Sequence, residues 1–105
     1  MVYPGRMADT SHALSTSVLK ERLEAAFPSL LEELTQLVAI PSVSSDPAHA
    51  ADVERSAEHI RERFAALGLE AKVLRETAED GTEGKPALVA RTPHIEGAPT
   101  VLLYA

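Results

Sequence analysis

Four histidines and sixteen carboxylates, with no cysteine among 105 residues, are the groups in this chain with the means to do chemistry. The histidines are His12, His49, His59 and His94. A zinc site needs ligands that converge, such as an i, i+4 helical pair and a third group. No two of these histidines have that spacing. His49 and His59 fall near the start and in the middle of one expected helix, too far apart to form a close pair. His12 lies in a polar leader and His94 in a turn beside Pro93. Each therefore reads as a solvated histidine. Most carboxylates fall on solvated helix faces. Asp80 and Glu83 share a loop, but proximity along a chain does not make a catalytic pair. Ser42, Ser44 and Ser45 come after Pro41 without the elbow pattern of a serine nucleophile. They read as turn-forming and helix-capping residues. The five glycines are scattered and form no phosphate-cradling loop. From the residues alone, the catalytic set and the metal set are both empty, and the substrate-binding residues are undefined.

The elements that would position such groups have an α/β order, in which two amphipathic helices precede three strands. Residues 1–14 read as a disordered leader, with no apolar segment of the kind a signal peptide needs. Ser15, Thr16 and Ser17 are suitable N-caps. Leu19, Leu23, Ala26, Leu30, Leu34 and Leu37 then recur at steps of three and four, which makes one helical stripe. Pro28 interrupts it, and two readings stand. The helix continues through Pro28 with a kink, or a new helix starts there with Ser29 and Glu32 as a capping box. The pattern ends at Ala39-Ile40-Pro41, because the residue before proline avoids the α region.

Asp46-Pro47 reads as the N-cap and first residue of a second helix, with Asp52 as a competing cap. Val53, Ala57, Ile60, Phe64 and Leu67 form its apolar stripe, and Gly68 its left-handed C-terminal cap. Residues 69–75 alternate apolar and charged and predict a strand with one wet face. Residues 87–90 predict a second strand, which pairs with the first as a hairpin across a polar loop. Residues 100–105, after the Gly97-Ala98-Pro99 turn signal, form a nearly unbroken apolar run. Such a run predicts a third strand buried on both faces. A chain that stops in mid-strand implies a fragment of a larger domain.

Composition narrows the function classes. The net charge of −6 disfavours nucleic acid and anionic membrane as partners, since phosphate binding needs a basic patch. No segment is long and apolar enough to span a bilayer. The lack of cysteine excludes disulfides, thiolate metal sites and cysteine nucleophiles, and fits a cytoplasmic location.

Four segments, taken in order, resemble one family. Leu37-Val38-Ala39-Ile40-Pro41-Ser42-Val43-Ser44 closes the first helix. Phe64-Ala65-Ala66-Leu67-Gly68-Leu69 closes the second. Ala87-Leu88-Val89-Ala90-Arg91 comes next as a strand, and Pro99-Thr100-Val101-Leu102-Leu103-Tyr104-Ala105 comes last. The series resembles the start of the catalytic domain of the M20 family of metallopeptidases, most closely its dipeptidase branch, and spans about Ser17 to Ala105. Each piece is weak alone, and the order of pieces is the specific signal.

The resemblance implies a zinc-peptidase-like α/β domain of which residues 15–105 are the N-terminal part. It implies two zinc ions, a bridging carboxylate and a glutamate base acting on a metal-bound water. It also implies a small peptide or N-acyl amino acid substrate and a homodimer formed through a second domain. In that family the last strand leads directly into a His-x-Asp motif that supplies the first metal ligand. None of His12, His49, His59 or His94 matches a ligand position, and Arg91 and Ser42 match family-like segments without a role. The expected property of this chain by itself is therefore inactivity. The alternative reading is a self-contained α/β interaction module without catalysis.

Overall fold

The computed structural model describes residues 15–105, so His12 and the expected leader lie outside the described residues. The element order is helix α1 (Thr16–Val38), helix α2 (Ala50–Ala66), strand β1 (Glu70–Leu74) and strand β2 (Ala87–Arg91). No helix among the described residues is long and apolar enough to cross a membrane.

Helix α1 starts where its cap chemistry dictates. The Ser15 hydroxyl accepts from the Val18 backbone N–H at 3.4 Å, satisfying one orphan donor of the first turn. The helix then runs unbroken through Pro28. Pro28 has no N–H, so the Glu24 carbonyl one turn earlier loses its helical donor. The Ser29 hydroxyl donates back to the Ala26 carbonyl at 2.8 Å. That use of Ser29 rules out the capping box with Glu32, and of the two readings of Pro28 the continuous helix is the one adopted. Local side-chain bonding of this kind competes with capping roles.

Beyond α1 the chain turns at Ile40-Pro41, and Asp46 caps the next helical segment. Its Oδ1 accepts from the Ala48 N–H at 2.9 Å, and Pro47 opens a single 3-10 turn, Pro47–His49, that runs directly into α2. Asp52 sits in the first turn of α2 instead of capping it. There its negative charge faces the positive end of the helix dipole. The far end of α2 closes on Gly68 at φ +84°. The Gly68 N–H donates to the Ala65 carbonyl at 2.9 Å, and the Leu69 N–H to the Phe64 carbonyl at 3.1 Å. These two bonds are the paired 5→2 and 6→1 bonds of a Schellman cap.

Strands β1 and β2 pair antiparallel, with Ala71 opposite Ala90 and Val73 opposite Leu88. These four residues are half-buried and share the sheet face that packs on α2, while Glu70, Lys72, Val89 and Arg91 are exposed on the other. Alternation of this kind is what a one-sided sheet requires. The connecting loop is pinned by a bridge between Thr77 and Glu83.

The expected third strand is corrected. Residues 100–105 form no strand, and the sheet has two strands in place of three. Val101, Leu102, Leu103 and Tyr104 are 77%, 86%, 89% and 95% exposed, the opposite of burial on both faces. A strand is defined by its pairing, and residues 100–105 make no backbone hydrogen bond to the open edge of the β1–β2 sheet. The packing elsewhere is also thin. No described residue is fully buried, and the radius of gyration is 17.5 Å against about 13 Å for a compact domain of 100 residues.

Candidate functional site

The most organised polar cluster lies at the start of α2. His49 Nδ1 stands 2.8 Å from Asp52 Oδ2, and Arg55 Nη2 stands 2.8 Å from Asp52 Oδ1. An ionised carboxylate can only accept, so the His49 Nδ1–H donates to it and the ring nitrogen Nε2 is left as the acceptor in the neutral form. The Asp52 side chain is about four-fifths covered, with a relative exposure of 19%. The 3-10 turn positions His49, and the i, i+3 spacing brings Asp52 and Arg55 onto one helix face. The arrangement can orient an imidazole. It adds no second catalytic group, since the third member is a cation that holds Asp52 rather than a nucleophile or an acid.

This pair was within reach of sequence reasoning. His49 is three positions before Asp52 at a helix start. Weighing His49 only against the other histidines hides that spacing.

Other residues singled out in the sequence are dispersed. His59 lines a shallow cleft of about 190 Å³ between α1 and α2, with Leu34, Leu37, Ile60 and Phe64 as its apolar walls. The Glu33–Arg63 ion pair stands at its rim. His94 borders a larger depression of about 710 Å³ between β2 and the segment C-terminal to it. Phe64, Leu69, Leu88 to Arg91 and Thr100 to Leu103 line it. Arg91 lies opposite Glu70 in the sheet register, a cross-strand pair of opposite charge.

Asp80 is engaged by the backbone of its own loop. Asp80 Oδ1 accepts from the Thr82 N–H at 2.9 Å, which closes the turn around Gly81 at φ +84°. The Thr82 side-chain and backbone hydrogen bonds hold the Asp80 carboxyl below the usual aspartate value. Ser42, Ser44 and Ser45 are exposed in the loop between the helices.

The remaining charge shifts all trace to exposed ion pairs. The Arg75 guanidinium, hydrogen-bonded to Glu54, lowers that carboxyl. Arg61 does the same to Glu58, and Lys72 to Glu70. None of these carboxylates is held high, as a general acid would be.

The two-metal centre expected from the family resemblance finds no ligand set among the described residues. No group of three or more His, Asp or Glu side chains converges there. His49 and Asp52 supply two candidate ligands, and Arg55 occupies the position next to them with a positive charge that opposes a bound cation. The residues present do not fit the group, and no catalytic step through a metal is derived from them. No family model, curated protein or solved structure matches the chain.

Proposed function

We propose that these residues are the N-terminal part of the catalytic domain of an M20-type metallopeptidase, a hydrolase of dipeptides or N-acyl amino acids. The observation that carries this reading is the order of four segments on the fold. Leu37–Ser44 runs from the end of α1 into the adjoining loop, and Phe64–Leu69 closes α2 on the Gly68 cap. Ala87–Arg91 is β2, and Pro99–Ala105 comes one further turn later. The thin packing supports the same reading. The apolar face of α1, the open sheet edge and Val101–Tyr104 are surfaces that a larger domain would cover.

On this reading the metal ligands are residues other than those described, and the 105-residue chain is inactive by itself. Two measurements test it together. The chain, incubated with dipeptides and added Zn²⁺, Mn²⁺ or Co²⁺, is expected to give no hydrolysis. Metal-dependent turnover by this chain would overturn the assignment of its chemistry to other residues. The coding sequence after Ala105 is expected to read His, any residue, Asp. A different continuation defeats the family assignment.

The competing reading is an interaction module, favoured by the open cleft between α1 and α2. A sharp, cooperative thermal transition of the monomeric chain supports that module over the partial domain.

A further inference from the structure

We propose that the Asp80–Gly81 peptide is a latent site of spontaneous isoaspartate formation, and that the hydrogen bonds of the β1–β2 loop hold it shut in the folded chain. The chemistry needs a carboxyl carbon within reach of the next residue's backbone nitrogen, with little bulk beside that nitrogen. Of the four aspartates, Asp80 alone meets both conditions. Asp46 precedes Pro47, whose nitrogen carries no hydrogen to give up. Asp9 and Asp52 precede the β-branched residues Thr10 and Val53, whereas Gly81 has no side chain to obstruct the attack. Every residue from Thr77 to Lys85 is exposed, so water is at hand for the hydrolytic step.

The reaction balances with no co-reactant but water. The Gly81 nitrogen attacks Asp80 Cγ and gives up its proton, and the hydroxyl of the acid form leaves as water. The product is a five-membered succinimide. Water then opens the ring at either carbonyl. Opening at Cγ restores aspartate. Opening at the main-chain carbonyl of Asp80 leaves isoaspartate, in which the backbone runs through Cβ and Cγ and is one atom longer.

Both reacting groups are engaged elsewhere in the folded loop. The Gly81 N–H donates to the Ala78 carbonyl at 2.9 Å, so the nitrogen that must attack is occupied. Asp80 Oδ1 accepts from the Thr82 N–H at 2.9 Å, which fixes the carboxylate on Thr82. Hydrogen bonding from Thr82 also favours the ionised carboxyl, the less electrophilic form. The Ala78 N–H donates to the Thr82 carbonyl at 2.8 Å and the Gly84 N–H to the Glu76 carbonyl at 2.7 Å, closing the loop around the pair. Cyclisation therefore waits for the loop to open. Breaking the bonds at Asp80 and Gly81 sets the slowdown at about tenfold or more.

The test incubates the 105-residue chain at neutral pH, folded and in denaturing urea, beside a free peptide of residues 77–85. Isoaspartate at position 80 is counted by peptide mapping with electron-transfer fragmentation. It is expected to form in urea at the rate of the peptide, and about tenfold or more slowly in the folded chain. Across sub-denaturing urea the rate should rise in step with hydrogen exchange of the Gly81 amide. Gly84→Ala should raise both rates in the folded chain and leave the peptide's rate unchanged. A Cβ at that position would meet the Glu76 carbonyl oxygen at 3.0 Å and press on the bond that closes the loop. A folded chain that isomerises as fast as the peptide overturns the inference. So does a rate that stays constant while urea speeds Gly81 exchange. An unfolded chain that forms no isoaspartate at position 80 removes the site itself. These outcomes do not depend on hydrolysis of a substrate or on the sequence after Ala105, so they separate from the test of the proposed function.

Discussion

Glu33 on α1 and Arg63 on α2, thirty positions apart in sequence, form the one ion pair that joins the two helices among the described residues. It stands at the rim of the α1–α2 cleft, with both side chains nearly half exposed. The helices otherwise meet only through partly exposed apolar groups such as Leu37 and Phe64. An exposed pair of this kind is worth about 0.2–1 kcal/mol. A double-mutant cycle with Glu33→Ala and Arg63→Ala, followed by urea unfolding, should give a coupling energy in that range. Raising the salt concentration should reduce it, because screening acts on exposed charges. A salt-independent coupling would mean that the helices are held by something other than this pair.

Asp52 should control the tautomer of His49. With the carboxylate accepting from Nδ1–H, nitrogen-detected imidazole spectra of the wild-type chain should show His49 with its neutral proton on Nδ1. In Asp52→Ala the commoner Nε2–H form should take over. The same substitution removes a negative charge from the first turn of α2, with an expected loss of about 0.3–1 kcal/mol in stability. An unchanged His49 spectrum in Asp52→Ala would show that the contact does not persist in solution.

Acid should weaken the tie between α2 and the end of β1. Hydrogen bonding from Arg75 lowers the Glu54 carboxyl below its ordinary value in the folded chain, and the unfolded chain lacks that bond. A group lowered on folding contributes stability above its unfolded pKa and loses it as pH falls through the folded value. The urea midpoint should therefore fall as the pH drops below the ordinary glutamate range. Arg75→Gln should flatten that decline. In a carboxyl-carbon titration it should also move Glu54 up toward its ordinary value. A Glu54 titration that is the same in both proteins would refute the pairing.

Gly68 is required by its backbone conformation and not by any crowding around it. It holds φ +84° at the Schellman cap, and a Cβ placed there would meet no atom within 4 Å. Gly68→Ala should thus lose about 1–2 kcal/mol purely from the left-handed conformation. A synthetic chain with D-alanine at this position should instead match or exceed the wild type, since D-residues favour positive φ. Equal destabilisation by both alanine enantiomers would point to steric crowding and against the backbone account.

Pro28 offers the converse case. Pro28→Ala restores an N–H for the Glu24 carbonyl in the middle of α1 and removes a residue about 3 kcal/mol less helical than alanine. Higher helicity and a higher thermal midpoint are expected, read by circular dichroism. A loss of stability would show that the proline shapes α1 for a contact.

The elements that were legible in the sequence are those set by chemistry within a turn or two. Ser15, Asp46 and Gly68 start and stop helices through bonds to backbone groups a few positions away, and Pro41 limits α1 by excluding the α region from the residue before it. The alternation of β1 likewise announced its wet face. The i, i+3 pair of Glu58 and Arg61 was equally readable from spacing, and Arg61 Nε donates to Glu58 at 2.8 Å. The contact of His49 with Asp52 had a local signal too, hidden when histidines are compared only with one another. The pairs of Glu33 with Arg63 and of Glu54 with Arg75 had none. They join residues thirty and twenty-one positions apart, and their partners are chosen by how α2 lies against α1 and β1.

By itself, the sequence determined two amphipathic helices and a one-sided hairpin. Only the tertiary structure decided that α1 passes unbroken through Pro28 and that the apolar run at 100–105 stands without a partner. The physical reason is range. Caps and helical stripes are satisfied by neighbours along the chain, so local chemistry specifies them. A strand needs an edge supplied from elsewhere, and the apolar character of Val101–Tyr104 records a preference for such an edge without providing one.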